Sequence, residues 1–364
     1  MSKPLIIQVV TAPSGGGAEY LVRELAHRLP SYNFESKAVY FSDSSLSRTG
    51  AIKFEPNELA IGHGSPRSIT AIQNLRKILK RSLDSNSKVL VHTHLTWPFF
   101  YTPIAATGLA LPLLHTEHDS FNRRRSHKII KPIDSWFYSK YQKVFCISQG
   151  VKNELHSWIG DSIVPLDVIE NGIALLDWVD RPQPDSNNLL KLISVGSLTR
   201  KKGFDIALKA VAEARDCVSE YKIVGEGPER RNLELLVSQL NLQDIVKLPG
   251  WSNNVEAEYA AADLQLIPSR WEGFGLVAVE GMSTGLPLIA ADVSGLREVV
   301  GTSEFYKTRV KGNYLAWALA IGEFHSNLNF YKQISYASRK ISEKFTIDKM
   351  VAQYAAAYSQ ILDI

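Results

Sequence analysis

Short apolar runs alternate with helically spaced segments along most of this chain. Leu5–Val10 (LIIQVV), Ser87–His94 (SKVLVHTH), Leu111–Asp119 (LPLLHTEHD), Lys143–Ser148 (KVFCIS) and Val164–Gly172 (VPLDVIENG) read as strands. Ala18–Leu29 carries Leu21, Val22, Leu25 and Leu29 at the spacing of one helix face. Strands that alternate with helices predict a parallel sheet covered on both faces.

The pattern softens over Ala174–Asn188, where two prolines sit among polar residues, and this stretch is expected to be a linker. Alternation then restarts. Strands are predicted at Leu189–Gly196, Tyr221–Gly225, Ile245–Gly250, Leu264–Ser269 and Leu286–Ala291, and helices at Phe204–Val218, Glu229–Leu240 and Val255–Ala262. From Gly312 onward the chain reads as helices. The expected organisation is a domain over 1–173, a linker over 174–188, a second domain over 189–346, and a last segment, 347–364, whose helix (Met350–Ile361) crosses back to the first domain. The expected fold class is α/β, with two doubly wound Rossmann-like domains facing a central cleft; in such sheets ligands bind outside the carboxyl ends of the strands.

Composition changes this picture little. The 364 residues are 45% hydrophobic and 21% charged, ordinary for globular domains. Two cysteines, Cys146 and Cys217, exclude a disulfide scaffold and fit a reducing compartment. No apolar run has the length of a membrane span, so a cytoplasmic protein is expected, peripheral at most on the inner face of the plasma membrane. Charge is uneven: residues 1–172 hold 20 Lys+Arg against 14 Asp+Glu, and 173–364 hold 21 against 23. A basic first half suits an anionic partner or simple solubility.

The stretch richest in chemistry is PSRWEGFGLVAVEGMSTGLPLIAAD, Pro268–Asp292. Gly273 and Gly275 break any helix before them, and a helix is predicted to follow, ended near Gly285 with Pro287 beyond. Glu272 then sits on the loop leading into the helix and Glu280 lies within it. The amide-rich helix start is suited to a phosphate. Carboxylates beside a phosphate are more sensibly acceptors for sugar hydroxyls; a capping glutamate plus a surface glutamate is the plainer alternative.

This stretch resembles the E-x7-E signature of retaining family 4 glycosyltransferases, P-S-x-x-E-G-F-G-L-x-x-x-E-A-M-A-x-G-x-P, through Pro268, Ser269, Glu272, Gly273, Phe274, Gly275, Leu276, Glu280, Met282, Gly285 and Pro287. The resemblance implies a GT-B fold, with Glu280 on the donor ribose, Glu272 beside the transferred sugar, and the helix start at Phe274, Gly275 and Leu276 toward the diphosphate. It extends to GGAE (Gly16–Glu19), similar to the family's glycine loop, which makes Gly16 and Gly17 donor-binding candidates. It also extends to PLLHTEHD (Pro112–Asp119), which implies an active-site histidine at His118, with His115 the weaker candidate. VGSLTRKKGFDIALKA (Val195–Ala210) implies that Lys202 binds the diphosphate; IVGEGPER places Gly225, and LPGW places Trp251, toward the donor. The family's usual arginine is Ser197 here, so Arg200 or Lys201 is the expected substitute.

Other groups are read on their own residues. The chain has no Asp-x-Asp pair, and His92, His94, His115 and His118 lack a metal-ligand spacing, so neither a metal nor another cofactor is expected. Ser120–Tyr141 combines Arg123, Arg124, Arg125 and Lys128 with Trp136, Phe137, Tyr138 and Tyr141. It is expected to be an acceptor or membrane surface, or else a solvated loop before a packed helix. The resulting expectation is a retaining, metal-independent enzyme. It would carry a hexose-type sugar from a UDP- or GDP-sugar to a glycan or lipid-linked acceptor, with no nucleic-acid partner. A sugar-nucleotide epimerase and a non-catalytic nucleotide-sugar binder stay open as alternatives.

Overall fold

A computed structural model of the protein describes residues 3–13, 16–43, 54–62, 69–160, 162–180, 189–301 and 312–364. The chain forms two compact units, Met1–Gly172 with Ile347–Ile364, and Ile173–Thr346.

The first unit runs β1 (Leu5–Val10), α1 (Gly17–Arg28), β2 (Glu35–Tyr40), β3 (Glu58–Ala60), α2 (Ile69–Ser85), β4 (Val89–His94), α3 (Thr96–Ala105), β5 (Leu113–Glu117), α4 (Lys131–Tyr138), β6 (Lys143–Cys146), α5 (Gln149–Ile159) and β7 (Leu166–Val168). Its sheet has the order β3-β2-β1-β4-β5-β6-β7, parallel throughout. β1 and β4 are buried at every position, as expected for central strands covered on both faces. β2 and β3 went unread from the sequence, because ESKAVY and ELA carry charged residues that dilute the apolar signal.

The second unit runs β8 (Leu190–Val195), α6 (Phe204–Glu213), β9 (Val218–Val224), α7 (Arg230–Gln239), β10 (Val246–Gly250), α8 (Val255–Ala260), β11 (Leu264–Ile267), α9 (Leu276–Ser283), β12 (Leu288–Ala290), α10 (Ser294–Val300), α11 (Tyr314–Ser326) and α12 (Leu328–Ser342). Its sheet is β10-β9-β8-β11-β12, again parallel. The helix predicted over Phe204–Val218 stops at Glu213, and Val218 already opens β9. Of the expected linker, 181–188 lies outside the described residues. Its first part is packed on the second unit: the Leu176 amide donates to Ser283 Oγ (3.1 Å) and the Val179 amide to the Thr284 carbonyl (3.2 Å).

The last helix, α13 (Ile347–Ile361), belongs to the first unit. It buries Ile347, Met350, Val351, Tyr354, Ala355 and Tyr358, a stripe at helical spacing. Arg28 pairs with Asp348 (2.8 Å), and the ring of Phe34 meets that of Tyr358 edge-on. Among the described residues no helix is long and apolar enough to cross a membrane.

Candidate functional site

In each sheet, strand order reverses at one place, and the loops leaving the two strands there open a crevice at their carboxyl ends. In the second unit that place is between β8 and β11. The loop after β8 carries Ser197 through Lys202; the loop after β11 carries Pro268 through Gly275. The two loops are tied together. The Arg270 amide donates to the Lys201 carbonyl (2.7 Å), and the Arg270 guanidinium makes paired 2.7 Å bonds to Asp205. The clamp sets both lysines against Glu272: Lys202 Nζ lies 2.9 Å from one carboxylate oxygen and Lys201 Nζ 3.4 Å from the other, with Ser269 Oγ donating at 3.2 Å. Burial pushes the Glu272 carboxyl up, but the charges of Lys202 and Lys201 and the hydrogen bonds outweigh it and hold it down at about 2.

Glu280 sits in the second turn of α9, where Tyr259 Oη donates to it at 3.0 Å. Burial raises its pKa, against the pull of the Tyr259 hydrogen bond and of the Lys202 charge. The structure therefore gathers Lys202, Glu272 and Glu280 into one neighbourhood. Tyr259, wholly buried, is the supporting group that sequence reading missed; its only signal was a tyrosine in the helix VEAEYA.

The other expected donor residues are placed more variously. Gly275 caps α9 with φ +103, and a side chain there would strike Leu296, so the bare backbone of the helix start is required. Leu276 is the first residue of that helix. Phe274 turns its ring into the core, edge-on to Phe345, so only its backbone is left for a ligand. Gly225 is dictated by packing, because a Cβ would meet the Gly196 carbonyl at 2.0 Å. Trp251 is 59% exposed just beyond β10, unlike a core tryptophan. Arg200 is not brought to the cluster. It lines a separate cleft with Asp205, Lys209, Glu229 and Arg270, and Lys201 is the cation beside Glu272.

In the first unit the reversal falls between β1 and β4. Gly16 caps α1 and Gly17 begins it; Gly15 lies outside the described residues. His94 ends β4 and His118 follows β5, with His94 Nδ1 and His118 Nε2 3.2 Å apart. His118 is half-buried and lines a small cavity with Leu95, Thr96, Asp119, Asn122 and Arg124. Leu95, at the start of α3, has φ +66 and ψ 176, a region nearly confined to glycine. Such strain is worth about 1–3 kcal/mol and collects at functional sites. His115 also lines this cavity but lies back within β5, bonded to Thr93 at 2.9 Å and set among the rings of Phe99 and Tyr141. His118, not His115, is thus the histidine at the sheet's carboxyl edge. Burial lowers it to about 4 despite the nearby Asp119 and Glu117 carboxylates, so it is neutral at physiological pH. Among the described residues no group of three or more metal-ligating side chains is assembled.

The basic cluster is not the open surface expected of it. The Arg125 side chain is largely withdrawn from solvent, donating to Glu117 at 2.5 Å and to Tyr138 Oη at 3.1 Å. Arg124 lies over the Phe100 ring at 4.6 Å, its Nε 3.7 Å from buried Asp134. Tyr138 and Tyr141 belong to the core. The Arg123 side chain lies outside what is described. Two arginines close to carboxylates of the core gain more from those partners than from solvent, which the run of like charge conceals. Lys128 is exposed as expected, and so, in the same stretch of chain, are Phe121, Ile129, Ile133, Trp136, Lys131 and Lys140.

Both units match family models: residues 15–175 match Glycosyltransferase Family 4, and residues 178–341 match Glycosyl transferases group 1. The chain is a GT-B glycosyltransferase of these families. It is 29% identical over 325 residues to an uncharacterized glycosyltransferase of Methanocaldococcus jannaschii, covering 85% of this chain and 88% of that one. A protein of Escherichia coli K12, named as a colanic acid biosynthesis glycosyltransferase, is 33% identical over 186 residues, 48% of this chain and 42% of its own length. Anabaena HepE, crystallised with UDP-glucose, superimposes with a TM-score of 0.81 at 18% identity over 98% of this chain and 99% of its own; at that identity the likeness is one of fold.

Proposed function

We propose that this glycosyltransferase is a retaining, metal-independent enzyme that moves a hexose-type sugar from a UDP- or GDP-sugar to a hydroxyl of a glycan or lipid-linked acceptor in surface polysaccharide, lipopolysaccharide or glycolipid synthesis. The observation that carries this reading is the joining of Lys202, Glu272 and Glu280 at the carboxyl edge of the second sheet. Lys202 and the α9 amides meet the negative charge that develops on the leaving diphosphate. Glu280, oriented by Tyr259, accepts from the ribose hydroxyls. Glu272 accepts from hydroxyls of the transferred sugar, and His118, in the first unit, is assigned to a sugar hydroxyl. No enzyme nucleophile is needed where a donor phosphate oxygen takes the acceptor proton on the face the leaving group departs from. The nucleotide-sugar donor is supported by the UDP-glucose bound to HepE, and the polysaccharide setting by the named role of the E. coli relative.

Calorimetry with UDP and with GDP tests the ribose assignment. Glu280→Ala should weaken binding of the preferred nucleotide by about 10–100-fold, since a hydrogen bond to a charged group is worth about 1.5–3 kcal/mol. Unchanged affinity would remove Glu280 from the nucleotide.

For the acceptor side, an anionic membrane surface is the proposed meeting place. Ile129 (86% exposed), Ile133 and Trp136 offer apolar insertion, with Lys128, Lys131 and Lys140 around them; Lys140 Nζ stands 4.5 Å over the Trp136 ring. Changing Ile133 and Trp136 together to serine should leave the melting temperature near wild type and reduce sedimentation with vesicles containing phosphatidylglycerol. Undiminished sedimentation would show this face to be merely solvated.

A further inference from the structure

The histidine at the edge of the first sheet is the end of a longer line of polar groups. His94 Nε2 lies 2.8 Å from Gln8 Oε1; Gln8 Nε2 donates to Tyr358 Oη at 3.1 Å; Tyr358 Oη lies 2.6 Å from His92 Nδ1. His92 Nε2 is 2.8 Å from Thr116 Oγ1, and Thr116 is 3.1 Å from Tyr354 Oη. The line therefore runs Tyr354–Thr116–His92–Tyr358–Gln8–His94–His118, from α13 through three adjacent strands. The register of the sheet builds it. Gln8 stands beside His92 on β1 and β4, and His94 beside Thr116 on β4 and β5. Because side chains alternate, Gln8, His92, His94 and Thr116 share the face covered by the two tyrosines.

Every interior member of this line is fully or almost fully buried, at positions of central strands where an apolar side chain would bring no polar desolvation cost. A polar core that only satisfied itself would close within the sheet. This one opens instead at the half-buried ring of His118, in the cavity with the strained Leu95.

The chain has a direction. Burial keeps the rings of His92 and His94 neutral, so each has one N–H and one bare nitrogen. Hydroxyls rotate and imidazoles can hold the hydrogen on either nitrogen, so neither breaks the symmetry. Gln8 does, because one end of its amide only accepts and the other only donates. With Oε1 toward His94, the hydrogen of His94 is on Nε2 and its Nδ1 is bare. His118 must then donate from Nε2, which leaves His118 Nδ1 as an acceptor. Turning the amide over would invert every member of the line.

We propose that Gln8, His94 and Tyr358 are positioning residues that fix His118 in the Nε2–H tautomer, so that it offers a hydrogen-bond acceptor at Nδ1 to a hydroxyl of the bound sugar. The sugar part of this rests on the role given to His118 above; the tautomer does not. Gln8 reaches no substrate in this reading. It acts through His94, as an orienting carboxylate or carbonyl acts through a functional histidine.

The test is long-range proton–nitrogen correlation NMR on the full chain labelled with nitrogen-15 at histidine, His118 being assigned from the spectrum of His118→Gln. In the wild type His118 should show the Nε2–H pattern. Gln8→Met, which removes both ends of the link, should give His118 a mixture of the two tautomers. It should lower kcat about tenfold while KM for the donor changes less than about twofold, the lower end of the 10–100-fold cost typical of partners that orient metal-ligating histidines. Tyr358→Phe, which releases only the far end of the amide, should shift the tautomer in the same direction by less; it removes one hydroxyl and serves if Gln8→Met does not fold. An Nδ1–H pattern in the wild type overturns the proposal. So does an unchanged His118 tautomer in the variants, even where kcat falls, because that fall would be structural damage. A shifted tautomer with wild-type kcat would leave the relay standing and remove His118 from the reaction.

Discussion

Lys202→Ala is expected to lower kcat by about 10²–10³-fold, the loss seen when one donor facing developing negative charge is removed from a preorganised site. Lys202 lies within 2.9 Å of Glu272 and its charge also bears on Glu280, so it stands between the two carboxylates and the diphosphate proposed beside them. Folding should survive, because Lys201 remains 3.4 Å from Glu272 to balance the buried charge. Lys202→Arg should recover only part of the activity, since a planar fork does not replace an ammonium point charge in a fitted space. Steady-state kinetics with a melting curve on each variant measures this. A melting temperature near wild type together with turnover within about threefold would take Lys202 out of the reaction. Turnover should also persist in EDTA, because cationic and amide groups are assigned to the diphosphate; loss in EDTA with recovery on magnesium would reassign that charge to a metal.

Arg125→Ser is expected to destabilise the first unit by about 3–5 kcal/mol, because it leaves the buried Glu117 carboxylate without its cationic partner, with the Tyr138 hydroxyl (2.6 Å) still donating to it. Against a typical total of about 5–15 kcal/mol, that is a large share. The same pair sets an acid dependence. Burial pushes Glu117 up, but the charge of Arg125 leads the groups that bring it down to about 2, below its usual 4.5. A carboxyl depressed on folding contributes stability that is complete above its unfolded value. That stability is lost as pH falls from about 4.5 toward 2. Urea titrations from pH 7 to pH 2 should therefore show a steep acid limb in the wild type and a flatter one in Arg125→Ser. A variant as stable as wild type at pH 7 would return Arg125 to the solvated surface. The contrast with Ile133 and Trp136 is informative, since those changes should alter vesicle binding and leave stability alone.

These two residues also show how legibility divides. The sequence alone determined the fold class, the two alternating halves, and the placing of Glu272 on a loop and Glu280 in the helix that follows it. Periodicity and glycine placement are local properties, and a signature spanning one loop and one helix is contained within a single stretch of chain. Tertiary structure decided what lay across strands. RRR reads as a charged surface until β5 places Glu117 beside Arg125. Arg200 and Lys201 are neighbours in sequence, and only the clamp by Arg270 decides which of them meets Glu272. Gln8 within LIIQVV and Tyr358 within the last helix lie 350 residues apart and acquire meaning only from their contact. Desolvation is the physical reason: a buried polar group must find a partner, and sheet register and helix docking determine which distant residue that partner is.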